Sequence, residues 1–278
     1  FGDVVRLEIG DGMTPDMRTM LSEKLEVEDA DLYAVRGPLG LSALMELYSL
    51  DRPDLKDAPF TPQTPKVLRN QDIFAAIRSR DIALHHPFDS FQPIIDLVRA
   101  AAVDPHVLAI KMTLYRVGRN SPIVQALMEA VENGKQVAVL VELKARFDEA
   151  SNIGWARALE ATGAHVVYGL PGLKVHAKLL MIVRREAEGL RRYLHLGTGN
   201  YNATTARQYT DFSLMTADEA LGADVGELFN MLTGSSKQQA HRALLVAPLD
   251  MQHKLINKIE REIVRQKKAG NGHLIFKC

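Results

Sequence analysis

From residue 107 onward, apolar runs of strand length alternate with patterns of helical length. Residues 107–117 (VLAIKMTLYRV) read as a strand. Ser121-Pro122 then supplies an N-cap and a proline at the first helical position, which predicts a helix to about residue 131, closed by Asn133-Gly134. Residues 136–145 (QVAVLVELKA) form a continuous apolar run, the signature of a strand buried on both faces. A helix over 152–161 ended by Gly163, a short strand over 164–168, apolar runs over 174–183 and 192–196, a strand over 210–215 and a helix over 218–232 complete the series. Such alternation predicts an α/β layered domain with a mostly parallel or mixed sheet flanked by helices.

The flanks read differently. Residues 4–9 suggest a strand, and 14–25 and 39–49 suggest helices, as in part of an α+β domain. Residues 51–68 carry four prolines, which lack a donor N–H and restrict their neighbours, so this stretch reads as a linker. A helix is expected from about 250 to 268, followed by a Gly-Asn-Gly turn and the start of a strand. The expected division is 1–64, 65–243 and 244–278. The first residue is not methionine and the last residues stop inside an apolar run, so the sequence reads as a fragment of a larger protein.

Composition narrows the function classes. Lys+Arg and Asp+Glu are both 34, and a general nucleic-acid binder would be basic, so that class loses weight. The one cysteine, Cys278, permits neither an intrachain disulfide nor a zinc cluster, which suits a reducing, cytoplasmic compartment. No apolar stretch approaches the ~20 residues of a membrane span. Peripheral association with a membrane stays open.

The chemistry concentrates in residues 174–202. In an extended strand, residues i and i+2 share a face, so His176 and Lys178 are expected to project together, a nucleophile beside a cation. Gly197-Thr198-Gly199-Asn200 then forms a turn whose backbone N–H groups and amide can approach the same ligand, with Asn200 also suited to cap a following helix. Arg116 and Arg146 follow strands, where ligand sites of open α/β sheets lie, and a guanidinium fork matches phosphate oxygens. Tyr209 is suited to stack on a base, and Asp211 to orient a histidine. Lys111 and Lys144 are weaker candidates. His85 and His86 are expected to be structural, and His165 and His195 receive no chemical role.

HAK with GTGN resembles the half-motif of the phospholipase D-like superfamily. HHPFDSF, LAIKMTLYRVG, VLVELKARFDE, GLKVHAK, HLGTGNYN and QYTDFSL resemble, more closely, bacterial polyphosphate kinases of the first type. The resemblance spans essentially the whole chain. It implies the end of a head domain over residues 1–60, a phospholipase D-like catalytic domain over about 65–243, and the start of a second. It implies a phosphohistidine at His176, Mg²⁺-phosphate contacts by Arg116 and Arg146, a nucleotide contact by Tyr209, and ATP/ADP and polyphosphate as substrates. It further implies a homo-oligomer. Arginine has no lone pair to give, so these two would hold phosphate oxygens rather than the metal. Two departures stand out. The wider superfamily has an aspartate five residues beyond the lysine, where this chain has Val183, and a second HxK is absent. A phospholipase D-like phosphodiesterase and a non-catalytic polyanion-binding module are the alternatives.

Overall fold

The computed structural model describes residues 3–118, 120–145, 148–170, 172–234 and 241–276. Two compact units form, Phe1–Phe60 and Thr61–Cys278. In the first, strand β1 (Leu7–Gly10) pairs in parallel with β2 (Leu32–Val35) across helix α1 (Pro15–Leu25), whose N-cap Thr14 accepts from the Met17 N–H. The helical pattern over 39–49 is realised as a 3₁₀ segment, Leu41–Ser49.

The second unit is an α/β domain around a mixed sheet of seven strands, as the alternating pattern implies. Its elements are α2 (Ile73–Ser79), β3 (Ile82–His86), α3 (Gln92–Val103), β4 (Val107–Leu114), α4 (Pro122–Glu132), β5 (Gln136–Val141), α5 (Glu149–Thr162), β6 (His165–Tyr168), β7 (Lys178–Glu186), β8 (Gly189–Gly197), β9 (Asp211–Thr216), α6 (Glu219–Leu232) and α7 (Met251–Ala269). The strand order is β3-β9-β8-β7-β4-β5-β6. β4, β5 and β6 run parallel, and the remaining neighbours are antiparallel. The second half of the proline-rich stretch belongs to this unit: Gln63 bridges to Asp89, and Val67 and Leu68 pack on the core.

The apolar run of β7 shows how the layers arise. Successive side chains of a strand point to opposite faces. Leu180 and Ile182 enter a large core with residues of α2, α3, α4 and α5, whereas Leu179 and Met181 enter a second core with Val225, Leu228, Phe229 and Leu232 of α6. β5 divides likewise, Val139 and Val141 on one side and Leu140 on the other. The helices start and stop where the sequence says: the Ser121 hydroxyl accepts from Val124, the Asp218 carboxylate accepts from Leu221, and Gly163 closes α5 at φ 99°.

One expectation needs correction. β7 begins at Lys178, so His176 lies in an irregular segment just before the strand rather than on it. Thr113 of β4 explains the break. Its hydroxyl donates to the Ala177 carbonyl at 2.7 Å and accepts from the Leu179 N–H at 3.0 Å, where a ladder bond would otherwise run.

Candidate active site

Register brings the site together at one end of the sheet. Lys178, the first residue of β7, pairs with Gly197, the last of β8, and Gly197 pairs with Ser213 near the start of β9. β4 and β5 end on the same side because β4 is antiparallel to β7 and parallel to β5. Five strand ends therefore deliver Arg116, Glu142, Lys178, the GTGN turn and Asp211 to one region.

His176 is exposed, and its ring meets the edge of Tyr115 at a centroid distance of 5.1 Å. Lys178 is 5% exposed, with its Nζ 3.1 Å from both ring nitrogens of His176 and 2.6 Å from the His176 carbonyl oxygen. In a neutral imidazole one nitrogen carries an N–H and the other the in-plane lone pair, and an ammonium equidistant from both lies along neither direction. The contact brings a charge close to the imidazole without consuming a nitrogen's directed bond. Around Tyr115 sit three cations, with Arg116, Lys174 and Lys178 at 5.2, 5.4 and 5.4 Å from its centroid. The ring's negative face attracts them and keeps them together despite their mutual repulsion.

The electrostatics follow. Partial burial, then Lys178, Lys174 and Arg116, hold the His176 imidazole below its ordinary range, so it is neutral at pH 7. Burial, reinforced by Arg116 and opposed by Asp211, pushes the Lys178 ammonium down to about 8. A neutral nucleophile and a still-charged cation thus coexist at neutral pH.

Glu142 had no sign in the sequence beyond a polar residue ending an apolar run. Its side chain is buried, and its carboxylate accepts from the N–H groups of Lys144 at 2.9 Å and Val175 at 2.8 Å. It ends β5 at Val141, short of the expected residue 145, and pins the residue before His176. Tyr115 and Asn202 also escaped sequence reasoning. An acid at the mouth of a buried run is the signal that could have found Glu142.

The GTGN turn is more committed to the fold than its sequence suggests. Thr198 donates its N–H to the Phe212 carbonyl at 2.9 Å and its hydroxyl to the Asp211 carboxylate at 2.8 Å. Thr198 is therefore spent on β9, and Asp211 is held by Thr198 rather than paired with His176. A Cβ on Gly199 would overlap the Asp211 carboxylate, which is why glycine stands there. Asn200 does not cap a helix. Asn202 instead folds its amide oxygen onto the next turn, accepting from the N–H groups of Thr204 at 3.0 Å and Thr205 at 3.2 Å. The Asn200 amide oxygen is buried without a hydrogen-bond partner among the described residues, so the fold itself does not use it.

Arg116 stands at φ 54°, in the left-handed region, 4.0 Å from the Asp148 carboxylate. Tyr209 is 64% exposed. Arg146 lies outside the described residues. His86 is structural: its ring nitrogens meet the Asp89 carbonyl at 2.9 Å and the Ser213 hydroxyl at 3.0 Å. His195 is buried against the Tyr201 hydroxyl at 2.8 Å, and burial pushes its imidazole down to about 3. Beside the histidine, an open cleft of about 590 Å³ is lined by Lys174, His176, Lys178 and Gly197 and by apolar residues including Leu173, Leu196 and Leu228.

Residues 72–238 match the model of polyphosphate kinase C-terminal domain 1, and residues 1–47 match that of the polyphosphate kinase middle domain. The chain is 60% identical to polyphosphate kinase of Prosthecochloris aestuarii and 57% identical to polyphosphate kinase 1 of Chlorobaculum tepidum, over its whole length in both cases. It spans 39% and 40% of those proteins, about two fifths of their length. The crystal structure of polyphosphate kinase from Porphyromonas gingivalis superposes with a TM-score of 0.79 at 33% identity, over 96% of this chain and 41% of that one. The matched residues 72–238 contain His176, Lys178, Arg116 and the GTGN turn alike, and the chain belongs to the polyphosphate kinase family.

Proposed function

We propose that this chain carries the phosphoryl-accepting half of an ATP:polyphosphate phosphotransferase. The observation that carries the reading is a neutral, exposed His176 with a buried Lys178 ammonium against its ring. An imidazole nitrogen attacks the γ-phosphorus of ATP. The new N–P bond forms as the bond to the β–γ bridging oxygen breaks, and ADP leaves with that electron pair. The terminal oxygen of a polyphosphate chain then attacks the phosphohistidine, the N–P bond breaks, and the polymer is one unit longer. The reverse sequence makes ATP. Phosphoryl transfer demands mainly positioning and neutralisation of the equatorial oxygens, which Lys178, Arg116 and Lys174 are placed to supply. Splitting the transfer lets donor and acceptor use one site in turn.

In this reading Mg²⁺ arrives with the nucleotide. Among the described residues no group of three or more His, Cys, Asp or Glu side chains could hold a metal ion, and a guanidinium cannot ligate one. No step is assigned to the metal. As part of the same reading, Tyr209 contacts the nucleotide, residues 65–243 form the catalytic body, residues 244–278 open a second catalytic domain, and the protein acts as a homo-oligomer. No helix among the described residues is long and apolar enough to cross a membrane.

The test compares ATP-dependent polymer formation with hydrolysis of a phosphodiester, using protein extended to the length of its relatives. Polymer formation that Arg116→Ala lowers at least tenfold, with the melting temperature kept, is the expected result. Diester cleavage without ATP, or salt-sensitive polyphosphate binding with no turnover, contradicts the reading.

A further inference from the structure

The loop after β4 is held in an unfavourable shape by a residue that no motif singles out. Arg116 adopts φ 54°, a left-handed conformation that is unfavourable for a non-glycine residue and persists only where neighbours enforce it. Its carbonyl oxygen accepts from Asn202 Nδ2 at 3.1 Å. The other end of the same amide accepts from Thr204 and Thr205, so its orientation is fixed by partners on both sides. Two residues on, Gly118 stands at φ 81°, and a Cβ there would come within 3.2 Å of Asn202 Nδ2, so the loop closes directly onto the amide. From the opposite side, Trp155 Nε1 donates to the Gly118 carbonyl at 2.7 Å and the Ser151 hydroxyl at 3.3 Å. The base of the clamp is firm as well, because the neighbouring Tyr201 is buried and its hydroxyl meets His195.

We propose that Asn202 is a positioning residue that locks the Arg116 backbone to the GTGN turn, so that the guanidinium and the turn face a phosphate chain as one unit. The proposal rests on the reading of Arg116 as a phosphate contact. Asn202 itself touches no substrate. Its amide converts two loops from separate strand ends into one rigid element, and it does so through a donor that aspartate lacks.

Asn202→Asp isolates that donor. The carboxylate still accepts from Thr204 and Thr205, but an oxygen now faces the Arg116 carbonyl. Binding of tripolyphosphate to the 278-residue chain, followed by titration calorimetry, reads the effect. Arg116→Ala and Asn202→Asp are each expected to weaken binding about tenfold, the order of one hydrogen bond to an ordered group. The double variant is expected to bind no more weakly than Arg116→Ala alone, because residues acting through one another are not additive. Wild-type affinity in Asn202→Asp, or losses that multiply, overturns the clamp; multiplication would mean that the added charge simply repels phosphate. An unchanged affinity in Arg116→Ala overturns the phosphate reading of Arg116 and the clamp with it, and is recognised without any change at 202. If Asn202→Asp is too unstable to titrate, Gly118→Ala crowds the same contact from the other side and is expected to give the same tenfold loss, with wild-type affinity again contradicting the clamp.

Discussion

In the proposed mechanism, Lys178 and His176 set opposite edges of one pH window. The histidine must be neutral to attack, and its ordinary value is lowered, so kcat/KM should rise with pH through a point below the usual histidine range. The lysine must be charged to receive the phosphoryl oxygens, so kcat/KM should fall above about pH 8. kcat/KM is the right quantity because it reports the free enzyme. Lys178→Arg, which stays protonated, is expected to move the alkaline edge upward by more than a unit; an edge that stays put would remove Lys178 from the titration. Gly199 gives a second test. Gly199→Ala places a methyl group against the Asp211 carboxylate and should displace the Thr198–Asp211 hydrogen bond. The rate should fall at least tenfold and the melting temperature should drop with it, checked by steady-state kinetics and thermal unfolding. At this scale the sequence exposed the residues of the proposed chemistry but not those that hold them. His176 and Lys178 were legible because a cation two residues from a histidine has few structural uses. Glu142 and Asn202 act on loops distant in the chain, at 33 and 86 residues' separation, and no local pattern encodes such a bond.

Among the elements, the break between the HAK segment and β7 depends on Thr113. Thr113→Val keeps shape and volume but leaves the Ala177 carbonyl and the Leu179 N–H without the hydroxyl. Stability should fall by about 1–3 kcal/mol, the cost of buried polar groups left unpaired, and kcat should fall with it as the histidine loses its anchor; denaturant unfolding and kinetics on one preparation check both. The middle of β7, residues 179–183, was legible, since a strand segment buried on both faces reads as a continuous apolar run. Four elements, β2, α2, β3 and α3, have no counterpart in the pattern-based expectation. In β3 the inward positions are Ile82, Leu84 and His86, and the last is polar, so the alternation breaks where a buried histidine is satisfied by Asp89 and Ser213. α2 has seven residues, too few to establish a helical period.

Across the whole molecule, chemistry and stability occupy opposite ends of the sheet. Arg184 lies six residues along β7 from Lys178, roughly 20 Å at strand rise. It pairs with Asp104 at 2.8 Å and Glu186 at 2.7 Å, and Glu186 also accepts from Arg78 and Tyr193. The Arg184 bonds help hold both carboxylates below their ordinary range. A depressed carboxylate contributes stability that is complete above its unfolded value and is lost as pH falls through the folded one. Arg184→Met should therefore cost about 3 kcal/mol at pH 7 and progressively less as the pH falls below the ordinary carboxylate range, while the folded enzyme keeps its rate; an equal loss at every pH would contradict the network's role. The alternation of strand and helix made the layered architecture legible from the chain, because each period change forces a new layer. The convergence of five strand ends was not, since it depends on register. The most direct test of the central claim follows from that convergence. Protein incubated with γ-labelled ATP is quenched in base, which preserves phosphohistidine, and the labelled peptide is sequenced by mass spectrometry. The account predicts one acid-labile phosphoryl group on His176, absent in His176→Ala. Label on another residue, or label and polymer formation undiminished in His176→Ala, would contradict it.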